Sequence, residues 1–338
     1  MNPSKIALVL GATGGIGGEV ANQLRDAGWT VRAMKRDGSP QTRDGIEWLP
    51  GDAMNREDVL RAAKGCAVIV HAVNPPGYRR WAELVLPMLD NTIAAAIAEQ
   101  ATIVLPGTVY NYGPDAFPLV HEDAPQHAPT RKGKIRVEME QRLRAATEHG
   151  CRVLIVRAGD FFGPKVGNNW FSQGLVKPGR PVTTISLPGT PGIGHQWSYL
   201  PDVARTMVAL LERSERLDRF ATFHMAGHWD ADGQQMADAI ARAVQRRGGA
   251  APERRRFPWW LITLASPFVE TLRELRQMRY LWREPVRMSH ARLLDVLGHE
   301  PHTPLDDAVM ATLDGLGCFD GMPAPAAQRI AEPAARRS

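Results

Sequence analysis

Residues 6–18 read Ile6-Ala7-Leu8-Val9-Leu10-Gly11-Ala12-Thr13-Gly14-Gly15-Ile16-Gly17-Gly18, and this stretch decides the fold. Five apolar residues that run straight into glycine predict a strand buried on both faces. Ile16, Val20 and Leu24 then recur every four residues as far as Gly28, the pattern of a helix and its stop. A strand, a glycine turn and a helix start offer a phosphate free backbone N–H groups and the positive end of a helix dipole. In that geometry Gly11 permits the tight turn, Gly14 lets the backbone approach a pyrophosphate, and Gly17 lets the helix pack close to the sheet. Thr13, Gly15 and Ile16 complete the expected dinucleotide cradle. The spacing is GxxGxxG, and its competing reading is a turn with no ligand. Its place after a buried strand, in a chain that keeps alternating strands and helices, favours nucleotide binding.

Outward from this turn, Thr30–Met34 reads as the second strand and ends at Lys35-Arg36-Asp37. An acid at this point holds an NAD ribose, whereas an arginine holds a 2′-phosphate. Lys35 and Arg36 come first, so Arg36 points to NADP, with NAD as the alternative. Ile46–Leu49 is a short strand. Asp52, after it, reads as an adenine contact or as the cap of a helix over residues 56–63. Residues 67–71 form a strand whose end, Ala72-Val73, should lie along the cofactor. A helix over residues 81–99 is expected to be interrupted near Pro87. The strand at 102–105 leads into a loop, 106–113, that carries Thr108, Tyr110 and Tyr112. In an open α/β sheet, ligands sit outside the carboxyl ends of the strands, so these groups are candidates for chemistry. Residues 114–130 read as an irregular loop or lid.

A helix is expected over residues 133–148, with Ile135, Met139 and Leu143 as its apolar stripe. Lys132, Arg136 and Glu140 form the adjacent stripe, where Arg136 and Glu140 have the spacing of an ion pair. A strand at 151–156 follows. The alternation implies an α/β fold: a doubly wound parallel Rossmann sheet with a smaller C-terminal substrate lobe. The dinucleotide-binding domain is assigned to residues 1–165, with 195–225 returning to it. The lobe is assigned to 166–194 and 226–322, and 323–338 to a mobile tail. Asp202 reads as the N-cap of a helix ending near Leu211. The run from Phe257 through Trp260 to Leu264 reads as core packing rather than an interfacial anchor.

Composition bounds the rest. The 338 residues are 44% hydrophobic and 23% charged, with 41 Lys and Arg against 36 Asp and Glu. This mild excess reads as solvated arginines, so no nucleic-acid partner is expected. Cys66, Cys151 and Cys318 are odd in number and far apart, without metal or redox spacing, which suits a reducing compartment. The N-terminal apolar run reads as a strand rather than a signal peptide, and no stretch reads as long enough to span a bilayer. The expectation is a cytoplasmic protein without a membrane partner.

Together these residues resemble the extended short-chain dehydrogenase/reductase family of the NAD(P)-dependent epimerase/dehydratase type. The resemblance runs from residue 5 to about 315. It rests on Gly11/Gly14/Gly17, Arg36, Gly51-Asp52, Val70-His71-Ala72, Asp90-Asn91-Thr92, Val109-Tyr110, Arg157–Pro164 and Tyr199–Ala204. It implies hydride chemistry at carbon on a small carbonyl or hydroxyl substrate, and a homodimer through the helices at 83–99 and 133–148. The family places a tyrosine and, four residues on, a lysine in the second of these helices. Here Lys132 and Arg136 fit those places best, and Thr130 and Lys134 form the other register. Neither register has the tyrosine. Lys132, Tyr110 and Tyr112 are therefore the candidate acid/bases, with Thr108 orienting the carbonyl and Arg136 holding ribose or phosphate. Two functions follow: an oxidoreductase or epimerase with an unorthodox acid/base, or a non-catalytic NADP-binding sensor. Trp170, His195, Trp197, Trp259, Trp260, Tyr280 and Trp282, which could enclose a substrate, favour the enzyme.

Overall fold

The computed structural model describes residues 5–75, 80–165, 167 and 169–321, so the expected tail lies outside the described residues. In chain order the first elements are β1 (Ile6–Leu10), α1 (Gly15–Asp26), β2 (Thr30–Lys35), β3 (Gln41–Arg43), β4 (Ile46–Pro50), α2 (Arg56–Ala63) and β5 (Val68–His71). Next come α3 (Trp81–Glu99), β6 (Thr102–Thr108), β7 (Leu119–Val120), α4 (Arg131–Ala146), β8 (Arg152–Ala158) and β9 (Asp160–Phe162). The later elements are β10 (Thr184–Leu187), β11 (His195–Tyr199), α5 (Leu200–Leu211), β12 (Phe220–His224), β13 (His228–Asp230) and α6 (Gln235–Arg246). The chain closes with β14 (Glu253–Arg256), α7 (Trp259–Ala265), α8 (Glu270–Gln277), β15 (Arg287–Met288), α9 (Ala291–Leu297) and α10 (Leu305–Gly315).

The main sheet has the order β12-β8-β6-β5-β1-β2-β4-β3. All its pairings are parallel except that of β3 with β4. Two apolar layers cover its faces. Val20 and Leu24 of α1 and Val203 and Met207 of α5 pack on one face. Val59, Val85, Leu89, Met139 and Leu143 from α2, α3 and α4 pack on the other. A third cluster, with Phe162, Phe171, Ile185, Trp197, Ile240, Trp282 and Leu313, is the core of the lobe. This is a doubly wound Rossmann-type sheet beside a distinct C-terminal lobe.

Several local expectations change in the folded chain. Helix α3 runs unbroken through Pro87. At 19 residues it is also long and apolar enough to cross a membrane by length and composition. In the fold it is a core helix, with Val85, Leu89, Ala95 and Ala96 buried under the sheet. Strand β6 extends through Pro106 to Thr108, because beyond Val104 it pairs with β8 alone and a missing N–H is tolerated on the open side. Asn55, not Asp52, caps α2, accepting from the Glu57 and Asp58 N–H groups. Asp202 lies inside α5 rather than at its cap, and its carboxylate accepts from the Thr303 N–H and hydroxyl and pairs with Arg205. The segment 114–130 is pinned: β7 pairs with β15, and the buried Glu122 carboxylate accepts from the His224 N–H at 3.0 Å. Of the arginines at 246–256, four sit in ion pairs: Arg246–Asp306, Arg247–Asp314, Arg254–Asp238 and Arg255–Glu253. The three cysteines are separate buried thiols.

Candidate active site

A cleft of about 1070 Å³ opens along the carboxyl ends of β1, β2, β5 and β6 and continues to the lobe. Gly11, Thr13, Gly14, Gly15 and Ile16 line one part of it, with Arg36, Asp52, Ala72 and Val73. Thr108, Tyr110, Lys132 and Arg136 line another part, and Trp170, Phe257, Ile262, Leu272, Leu275 and Met278 the lobe side. Of the preferred catalytic and cofactor-binding candidates, Gly17 and Tyr112 do not line this cleft, and of the aromatic residues expected to enclose a substrate, Trp170 does.

The glycine turn is shaped by backbone contact. Gly11 has φ +89°, and a Cβ there would stand 2.5 Å from the Ala72 carbonyl oxygen. Gly17 packs against the turn itself, since its Cβ would fall 2.3 Å from the Gly11 oxygen. A Cβ on Gly14 would meet only the Gly11 oxygen, at 3.3 Å, and otherwise project into space. No side chain caps the first turn of α1. The cradle therefore offers uncapped N–H groups and room for a pyrophosphate, which fits a dinucleotide.

Helix α4 places the two registers differently. Thr130 is its N-cap and accepts from the Gly133 N–H at 3.0 Å, so Thr130 is buried in a structural role. Lys132 and Arg136 face the cleft instead. Lys132 Nζ lies 2.9 Å from Glu274 Oε2 of α8, and both side chains are mostly buried. The Arg136 guanidinium lies 5.6 Å from the centre of the Trp81 ring. Arg136 does not pair with Glu140. Glu140 turns to the buried Arg157, and Gln126 also donates to it. Tyr112 is fully buried, with its hydroxyl 3.0 Å from His224 Nε2, and burial pushes its pKa up to about 12. It is thereby removed from the candidate acid/bases.

The family model for the NAD dependent epimerase/dehydratase family matches residues 7–226, well over half of the chain. The chain belongs to this family. A curated relative, a 3-diazoavenalumate denitrifying reductase of Streptomyces, is 29% identical over 177 residues. That match spans 47% of this chain and 57% of the relative, little more than half its length. Among solved structures, UDP-glucuronic acid 4-epimerase of Bacillus cereus, in complex with NAD, superposes with a TM-score of 0.71 at 16% identity. It covers 93% of this chain and 97% of its own. UDP-glucose 4-epimerase of Bifidobacterium longum, in complex with NAD+ and UDP, gives a TM-score of 0.68 at 14% identity, over 93% and 98% of the two chains. At these identities the likeness establishes the fold.

For a member of this epimerase/dehydratase family, Tyr110 has polar neighbours that the sequence did not link to it, and one of them, Asp160, lines the cleft. Asp160, at the start of β9, accepts from the Tyr110 hydroxyl at 3.3 Å and lies 2.9 Å from His195 Nε2. His195 Nδ1 lies 3.3 Å from the Leu281 carbonyl oxygen, and the His195 ring stacks on Trp282 with centroids 3.7 Å apart. Asp160 and His195 thus form a buried hydrogen-bonded pair beside Tyr110. The Tyr280 hydroxyl is buried without a hydrogen-bond partner among the described residues, and burial, reinforced by the Asp160 charge, pushes its pKa up. Local periodicity gave no signal for this cluster, because its members come from β6's exit, β9 and β11. Of the expected aromatic enclosure, Trp170, Trp259 and Trp282 pack together, but Trp260 points to solvent.

Proposed function

We propose that this protein is an NAD(P)-dependent oxidoreductase or epimerase acting on a small carbonyl or hydroxyl substrate, with Tyr110 as its proton carrier. The observation that carries this reading is the placement of Tyr110, Asp160, Lys132 and Arg136 on the same cleft as the glycine turn. The turn of α1 holds the pyrophosphate, and Arg136 holds ribose or phosphate as a fixed cation. Arg36 at the end of β2 supports NADP, although the two solved relatives above carry NAD. A bound nicotinamide supplies or takes the hydride.

The protein's own part is the proton. When a carbonyl is reduced, its π pair moves to oxygen, the Tyr110 O–H bond breaks, and the new hydroxyl forms with that proton. The phenolate takes its replacement proton from solvent by way of Asp160, which accepts from the Tyr110 hydroxyl and lies 2.9 Å from His195 Nε2. In oxidation the same protons move the other way. Lys132 supports this chemistry as a fixed charge, with its Nζ 2.9 Å from the Glu274 carboxylate. Thr108, whose hydroxyl makes a long 3.3 Å bond to Asn111, can trade that bond for a substrate oxygen.

The test is to follow NADPH and NADH absorbance with a panel of aldehydes, ketones, quinones and nucleotide sugars. Tyr110→Phe should lower kcat by about 10²–10⁴-fold with cofactor affinity nearly unchanged. Lys132→Met should lower it less. Should Lys132→Met be the more damaging, the proton runs through Lys132. Cofactor binding without turnover of any panel member would favour the non-catalytic sensor.

A further inference from the structure

Among the described residues, seven large apolar side chains are exposed, and five of them fall between residues 260 and 269. They are Trp260, Leu261, Leu264, Phe268 and Val269, with Leu264 69% and Phe268 88% exposed. Residues 257–269 contain no charged side chain. Helix α7 is thus apolar on two sides: Ile262 faces the cleft, while Trp260 and Leu264 face water. A monomer in water gains nothing from such a face.

The charge around it is one-sided. Residues 253–287 hold eight arginines and four glutamates, nearly the whole net charge of +5 of the chain. One glutamate, Glu274, is turned inward to Lys132. Arg273 Nη2 reaches the Pro267 carbonyl at the tip of the hairpin, and the Arg279 guanidinium lies 5.1 Å from the centre of the Trp259 ring. Arg256, Arg276, Arg279 and Arg283 have no acidic partner among the described residues. An exposed tryptophan and phenylalanine on an uncharged stretch, flanked in sequence by arginines without acidic partners, match the chemistry of a bilayer surface with anionic headgroups.

We propose that the α7–α8 hairpin seats this protein on an anionic lipid surface, with Trp260, Leu264 and Phe268 entering the headgroup layer and the surrounding arginines meeting phosphates. The same hairpin forms the apolar wall of the cleft through Ile262, Leu272 and Leu275, so docking brings that wall to the membrane. Membrane contact departs from the composition-based expectation, which placed this run in the core.

Co-sedimentation of the full chain with phosphatidylcholine vesicles, and with vesicles in which about one-third of the lipid is phosphatidylglycerol, tests the proposal. Roughly tenfold more protein should pellet with the anionic vesicles, and added salt should erode the difference. Trp260→Ser/Leu264→Ser/Phe268→Ser should lose binding with an unchanged circular dichroism spectrum, because all three side chains are already in water. Arg276→Gln/Arg283→Gln should lose the anionic preference. Absence of binding to either vesicle, or equal binding by the triple-serine variant, overturns the proposal. So does light scattering that shows a dimer which the triple-serine variant splits, since the face would then belong to a second copy of the chain.

Discussion

Glu140 is held at both carboxylate oxygens by Arg157, with Nε to Oε1 at 2.9 Å and Nη2 to Oε2 at 2.6 Å. Both side chains are almost wholly buried. The pair ties α4 to β8 directly behind the cleft. Removing one partner strands a charge in the interior, which costs about 3–5 kcal/mol. Arg157→Met should therefore destabilise the protein by that order in urea denaturation. Arg157→Met combined with Glu140→Gln should be milder than the single change, because no charge is left unpaired.

The two later glycines of the turn should separate in experiment. Gly14→Val adds a side chain into the cleft with only a 3.3 Å neighbour, whereas a Cβ at Gly17 meets backbone at 2.3 Å. Gly14→Val should keep a native circular dichroism spectrum and lose dinucleotide binding. Gly17→Val should lower the melting temperature or prevent folding.

Cofactor choice rests on Arg36. Charge-assisted contact with a 2′-phosphate should favour NADPH over NADH at least about tenfold, or roughly 1.4 kcal/mol. Fluorescence titration of both cofactors, with wild type and Arg36→Ala, measures this. Equal affinities in wild type, or a preference for NADH, would assign the pocket to NAD.

Stability should fall in mild acid. Burial holds the His71 and His224 pKa down to about 3, Arg136 and Arg157 respectively adding to the effect, and burial beside His302 holds His228 down to about 4. In the unfolded chain each histidine titrates near its ordinary value of 6.5. The unfolded state therefore binds protons first. The stabilisation is complete above about pH 6.5 and is lost as pH falls toward the folded values, by up to about 1.4 kcal/mol per pH unit for each histidine. Thermal melts between about pH 7 and about pH 5 should show this slope. His224→Gln keeps a donor and an acceptor at that site, so it should flatten the slope while lowering the plateau.

The sequence by itself determined the β1–glycine–α1 unit, the strand–helix alternation and the cleft positions of Arg36, Tyr110, Lys132 and Arg136. These depend on neighbours within a few residues: a continuous apolar run, a four-residue stripe, a glycine where a Cβ would meet backbone. The tertiary structure decided the partners. Pairing of Thr108 with Ala158 between β6 and β8, and of Trp197 with Asp160 between β11 and β9, brings Tyr110, Asp160 and His195 together from 35 and 50 residues apart. Arg157 takes Glu140 from Arg136 in the same way, because β8 presents a buried guanidinium that needs a carboxylate more than the half-exposed Arg136 does. The outward face of α7 follows the same logic. Apolar composition promises burial, but only the packing of neighbouring elements decides which side is covered, and here Trp259 is covered while Trp260 is not.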